Sequence, residues 1–410
     1  MSFFGKDLHN IREITVTMAK ILLRIDSTTS YARCMENICL HITGEQSIKL
    51  MRAARVGKVV SASPLCNAHI SPTALRSLDE LRDVGLGMLL DWLSISPSNP
   101  LKLSVPCNHQ RIRTREVCTS ALSEELPDGA LLQLHSGTDK ESAITLPPDV
   151  IVCIDSPSLA FLKMSHELGP KAAKEGNEGL ATSLRLIEFA CECCGAYVRD
   201  PFTPRTTIIH YDEPGADSRF CNLSDMRMFA SSGHKLHGKN LALKMLAHAI
   251  DGSGSGMESY LNLALAGAPR LGGLAMHEPL VNQQLVIDED IKQLLKHKSI
   301  RPDMQWPDYQ TLVEYLGDEA HASKKARVED KDRLQDYATA GYTAFSLMFD
   351  DVRSAAALNR TAEMIARSLM QHGKRNELYR VRHLLKDDKF LSRQSQLIAT
   401  LLPPITRYDS

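Results

Sequence analysis

The chain has 410 residues, with 48 Lys and Arg against 49 Asp and Glu and a formal net charge of −1. That length holds about two to three domains, and 43% hydrophobic with 24% charged residues supplies ample core without the charge excess of a disordered chain. A net charge near zero gives no overall field to attract a polyanion, so any nucleic-acid surface must come from local asymmetry.

Ten cysteines are scattered along the chain rather than packed into a short disulfide framework, and they are expected to be reduced. The first thirty residues carry Lys20 and Arg24 within their most apolar run, and Asp7 and Glu13 ahead of it. This suits neither a secretory nor a transit segment, and no run is long enough to span a bilayer. A cytoplasmic protein without membrane contact is expected.

Residues 6–25 place Ile11, Ile14, Met18, Ile21 and Ile25 on one helical stripe. This is either a seam for a protein partner or homodimer, or a helix packed on its own domain. The segment from Ile38 to Val56 predicts a helix ending in Arg52 and Arg55, with Lys58 beyond. Such a helix either enters a DNA groove or presents a solvated charged face. From Ser61 to Asn99 the pattern is helical with proline breaks, and a boundary is placed near Pro100. Leu101 to Val105 and Val150 to Ile154 predict strands. Ser156-Pro157 then starts a helix that Gly169-Pro170 is expected to end.

A second helix, Leu184 to Tyr197, contains the CxxC pair Cys191 and Cys194; with no second pair following, buried thiols are a simpler reading than zinc. His234, Lys235, His237 and Lys239 cluster where another helix begins, either solvated or contacting phosphate. Asp251 to Ser255 predicts a flexible link. In the helix that follows, Ser255 and Glu258 have capping-box spacing, so Glu258 either satisfies the Ser255 amide or serves as an acidic group beside later strands.

From Ile300 to Val352 the pattern is a strand with Asp303, a turn at Trp306-Pro307-Asp308, a strand from Thr311 to Leu316 with Glu314, a Gly317 turn, a polar helix and a strand from Thr343 to Met348. Two carboxylates on adjacent strands are suited to one divalent metal; the plainer alternative is strand-end carboxylates in water or paired with Arg301 and Lys331. Leu358, Ala362, Ile365 and Leu369 stripe a closing helix. A basic tail follows, either a phosphate-binding patch or an amphipathic surface helix.

With GMES at Gly256 to Ser259, RPD at Arg301 to Asp303, VEYLGDEAH at Val313 to His321, EDKDRL at Glu329 to Leu334 and Gly341-Tyr342, the segment from Met257 to Leu369 resembles the PD-(D/E)xK nuclease superfamily, in its very-short-patch-repair-like (Vsr-like) endonuclease branch. Residues Val150 to Leu280 resemble segments that precede such a domain in bacterial proteins of abortive-infection antitoxin and regulator type. Together these readings predict an α/β (α+β) multidomain chain: 1–100 mainly helical, 101–250 a small α/β middle domain, 251–370 a Vsr-like endonuclease-fold domain with a restriction-endonuclease-like mixed sheet flanked by helices, and 371–410 a basic helical tail.

The resemblance implies that Asp303 and Glu314 hold Mg2+ with Glu258 completing the ligands, and that His321 orients or deprotonates the attacking water. It further implies DNA as partner. Lys324, Lys325 and Lys331 are the candidate phosphate contacts there, with Arg380 and Arg382 added from the basic tail. One departure matters: Leu316 occupies the position where the superfamily usually has lysine. The expected function is a metal-dependent DNA endonuclease of defence or repair type, or a degenerate one. The alternative is a non-catalytic DNA-binding regulator that keeps the nuclease fold as scaffold.

Overall fold

The computed structural model describes residues 38–65, 73, 77–121, 126–203, 206–208, 221–232, 237–316 and 324–402. The chain divides at Ile38 into two units, and the second, Cys39–Ser410, carries the fold described here. The expected helix over 6–25 lies outside the described residues. The fold is mixed α/β, and no helix among the described residues is long and apolar enough to cross a membrane.

The first half builds a six-stranded sheet. In chain order its elements are β1 (Ile38–Ile42), α1 (Gly44–Val56), β2 (Val60–Pro64), α2 (Leu78–Asp83), α3 (Gly87–Trp92), β3 (Leu101–Val105), β4 (Val117–Ala121), β5 (Leu131–Ser136) and β6 (Val150–Asp155). The spatial order is β2-β5-β6-β1-β3-β4. β6 is a continuous apolar run with almost every residue buried, the pattern of a strand covered on both faces, and it takes a central place. The sheet draws strands from both sides of Pro100: β1 pairs with β3 and β2 with β5. The described part of the segment before Pro100 carries α1, α2 and α3 together with two strands, and a short strand such as Val60–Pro64 is fixed by partners about seventy residues away.

Next come α4 (Pro157–Ala172), α5 (Asn177–Cys194), β7 (Tyr197–Arg199), β8 (Thr206–Ile208), α6 (Leu223–Ser231) and α7 (Lys239–Leu246). Ser156 caps α4 as expected, accepting from the Leu159 amide, but Gly169-Pro170 does not end the helix. Pro170 falls in its last turn, where a missing N–H removes a single bond. The segment 251–255 is not a flexible link either. The Gly252 amide donates to Cys194 O at 2.9 Å, the Ala196 amide donates to Ser253 O at 2.7 Å, and Asp251 accepts from the Leu223 amide at 3.0 Å. These bonds dock it on the end of α5.

The last third begins with α8 (Gly256–Leu265) and continues through β9 (Leu280–Val281), α9 (Glu289–Leu294), β10 (Met304–Trp306), β11 (Thr311–Tyr315), α10 (Lys324–Thr339), β12 (Thr343–Leu347), α11 (Ala355–Gln371), α12 (Glu377–Leu384) and α13 (Asp388–Leu401). The sheet order is β12-β11-β10-β9, antiparallel except for the parallel pair β11 and β12. The strands, the Trp306-Pro307-Asp308 turn, the helix and the final strand fall where the pattern from Ile300 to Val352 predicts, with Asp303 one residue ahead of β10, while the expected Gly317 turn lies outside the described residues. α11 buries Leu358, Ala362, Ile365 and Leu369 as expected, and Thr311 on β11 meets Ser368 on α11 hydroxyl to hydroxyl at 2.8 Å.

Candidate functional site

Three carboxylates come together where the two middle strands of the second sheet, β10 and β11, meet α8. In the antiparallel pairing Met304 faces Val313, and continuing that register by one residue sets Asp303 opposite Glu314. Asp303 Oδ2 accepts the Tyr315 amide at 2.6 Å. The third, Glu258, sits in the first turn of α8, where Ser255 Oγ accepts from the Glu258 amide at 3.2 Å. Its carboxylate turns back as a cap, yet it accepts from the Gly254 amide at 2.6 Å rather than from Ser255. A side chain at Gly254 would stand 2.8 Å from Asn282 Nδ2 and 2.9 Å from Glu258 Oε1, so any larger residue would push these two side chains aside. Asn282 links the parts: its amide donates to Asp303 O and its side chain to Gly252 O.

Electrostatics shows that the three groups sense one another. Burial first, and to a lesser degree the Glu314 charge, push Glu258 up to about 7 against the Gly254 amide and the Ser255 side chain. Asp303 is raised well above the usual carboxylate range, first by burial and then by the Glu258 and Glu314 charges. Glu314 is raised by burial, opposed by the Tyr337 hydroxyl and the Arg333 guanidinium. Tyr337 donates to Glu314 Oε1, and Arg333 Nη1 lies 3.6 Å from the same oxygen. With one guanidinium against three carboxylates, either a further cation balances the ionised groups or protons stay bound.

The donor chemistry, all hard carboxylate oxygen, suits a divalent ion such as Mg2+. The arrangement is nonetheless not closed around one, since among the described residues no group of three or more His, Cys, Asp or Glu is placed to hold a metal. Glu258 is engaged with its cap, which is the conflict between capping and ligation that its spacing implies. Beside Glu314 lies a cavity of about 10 Å³ lined by Leu316, Asp330, Arg333 and Tyr337 among others, close to the minimum for one water. Leu316 thus gives this cavity an apolar stretch of wall beside Glu314.

No family model, no curated protein and no solved structure matches the chain.

The other candidates disperse. His321 lies outside the described residues, as do the side chains of Lys324 and Lys325. Lys331 is exposed on α10, and the cation that reaches Glu314 is Arg333 instead of Arg301 or Lys331. Arg380 is held by Glu377 and Arg382 by Glu363, each at 2.9 Å, so these two candidate cations of the tail are paired. Arg52 and Arg55 neither face solvent nor project as a groove-reading face. Arg52 pairs with buried Glu192 at 2.7 Å, and Arg55 donates to the Glu192 and Tyr197 carbonyls at 2.8 and 2.6 Å. Cys191, Cys193 and Cys194 are buried free thiols, with Cys191 pushed up to about 12, first by burial. His234 lies outside the described residues, and His237 stacks on His166 at 5.0 Å.

Sequence reasoning missed Arg333 and Tyr337, which reach Glu314 from α10, and a second buried network at the first sheet. Asp155, at the carboxyl end of β6, lies 2.7 Å from His41 Nε2 and accepts from Thr43 Oγ1 and Lys163 Nζ, both at 2.7 Å. Burial opposes ionisation of Asp155, but Lys163 and His41 hold its carboxyl well below the usual range. An aspartate ending an otherwise apolar strand directly before a capped helix was the available signal.

Proposed function

We propose that the second sheet carries a divalent-metal site for phosphodiester hydrolysis on DNA. The observation that carries this reading is the convergence of buried Glu258 and Glu314 with half-buried Asp303, each held towards its protonated form. The order of helix, strand, short helix, two strands, helix and strand around them supports it. Asp303 and Glu314 would hold the ion, with Glu258 joining on release from Gly254. A bound Mg2+ supplies charge neutralisation at phosphate and a water of lowered pKa. The chain's own residues prepare the site: the Tyr315 amide orients Asp303, Tyr337 orients Glu314, and Arg333 brings from α10 the positive charge that Leu316 does not provide.

The experiment is incubation of the full chain with DNA and Mg2+, with and without chelator. Cleavage that requires the metal and is lost in Asp303→Asn supports the site; cleavage unchanged in Asp303→Asn removes it.

A second reading, a DNA-binding regulator that keeps this fold as scaffold, is favoured by the wall that Leu316, Arg333 and Tyr337 form beside Glu314. It predicts salt-sensitive DNA binding indifferent to chelator and no cleavage. Absence of DNA binding at low salt removes it.

A further inference from the structure

A cavity of about 590 Å³ opens between α4, α5, α7 and α13, and its wall is strongly cationic. Lys174, Lys244, Arg270, Lys389 and Arg393 line it against a single carboxylate, Asp388. Lys174 is paired with Glu178 at 2.9 Å and Arg270 donates to the His248 ring. Among the described residues no carboxylate forms an ion pair with Lys244, Lys389 or Arg393.

The crowding of charge is built into the packing. Gly272, at φ +90°, ends the short turn that carries Arg270, and a side chain there would stand 2.6 Å from the Arg393 carbonyl. Glycine at this point therefore lets α13 lie directly on the turn and brings the arginine-bearing segments together. The unbalanced positive field is felt nearby: the His248 imidazole is held below its ordinary value by burial, and then by Arg270 and Lys244. Five cations gathered against a single lining acid raise the free energy of the empty site, and an anion relieves that repulsion.

We propose that this cavity binds the phosphate group of a small phosphorylated molecule of nucleotide size. Guanidinium and ammonium groups together match the geometry and charge of phosphate. The volume lies within the range of about 300–1,000 Å³ for small-molecule pockets, and Leu180, Met245 and Leu271 give an apolar part of the wall for the body of the ligand. A concave site fits such a molecule better than a duplex, which requires cations along an extended face. Arg380 and Arg382, already paired with Glu377 and Glu363, do not continue the cationic surface along α12. The proposal stands independently of the carboxylate site on the second sheet.

The test is isothermal titration calorimetry of the full chain at low salt with inorganic phosphate, inorganic diphosphate, AMP and glucose 6-phosphate, with adenosine as uncharged control. Binding of AMP or glucose 6-phosphate but not adenosine is expected, weakened by about tenfold for each cation removed. Inorganic phosphate or diphosphate binding as tightly as the organic esters overturns the small-molecule assignment in favour of a free-anion site. The variant pair is Lys244→Ala with Arg393→Ala, checked by its melting midpoint; should it fail to fold, exposed Lys244→Glu decides. Binding by either variant equal to the wild type, failure of every phosphorylated probe to bind, or competition only by duplex DNA overturns the proposal.

Discussion

Asp303 faces Glu314 across an antiparallel strand pair, and its Oδ2 takes the amide proton of Tyr315, the residue after Glu314, at 2.6 Å. The two acids are thus clamped together by the backbone. Asp303→Asn keeps an oxygen for that amide while removing one of three repelling carboxylates. Without divalent cations it is expected to stabilise the fold by about 1–3 kcal/mol at pH 8, read by urea denaturation, while abolishing metal-dependent cleavage. A destabilised variant would show that the Asp303 charge is needed for folding.

The pH dependence follows from the direction of the shifts. Glu258 is raised from 4.5 to about 7, and Asp303 and Glu314 are raised as well. A carboxyl whose folded pKa lies above its unfolded value contributes stability that is fully present below the unfolded pKa and is lost as pH rises through the folded one. The metal-free protein is therefore expected to lose stability between about pH 5 and 8, with Glu258 contributing at most about 3 kcal/mol. Melting midpoints across this range check it, and Glu258→Gln flattens the slope. Added Mg2+ raises the midpoint most at the alkaline end if it binds the ionised trio.

Leu316→Lys places an ammonium beside Glu314. Leu316 is only half-buried, so a lysine stem can lie along the same wall with its charge outward. The expected result is a change in stability within about 1 kcal/mol and a rise in metal-dependent DNA cleavage. Unchanged cleavage with a normally folded variant favours the scaffold reading.

Asp155→Asn tests the buried network at the first sheet. The substitution leaves Lys163 and Thr43 without the carboxylate that each meets at 2.7 Å. Because the Lys163 side chain is 27% exposed, part of its charge returns to water. A loss of about 2–4 kcal/mol is expected, somewhat below the usual cost of breaking a fully buried pair, measured by the shift in denaturation midpoint at constant slope. A loss under about 0.5 kcal/mol, the range of ordinary surface changes, would falsify the structural role.

The second sheet was legible because its information is local. Alternating strand residues, the Trp306-Pro307 turn and the polar run from Lys324 onward specify themselves over a few residues each, and Asp303 faces Glu314 once the strands pair. What the sequence hid depends on distant partners. Arg52 and Arg55 read as a basic helix face until Glu192 and the Tyr197 carbonyl, some 140 residues on, draw them inward. The segment 251–255 has a linker's composition, yet the end of α5 satisfies its backbone. Arg333 and Tyr337 lie among charges that look solvated, and only the packing of α10 on the sheet brings them to Glu314.

Glu258 serves two masters, and this has a dynamic consequence. Its carboxylate secures the Gly254 amide, and the neighbouring Ser253 carbonyl in turn receives the Ala196 amide. Drawing Glu258 onto a cation frees Gly254 and slackens the strap that holds the end of α5. Occupancy at the sheet would then be reported as faster deuterium uptake at Gly254 and at Ala196, the latter about sixty residues before Glu258 in the chain, even though neither amide touches the ion.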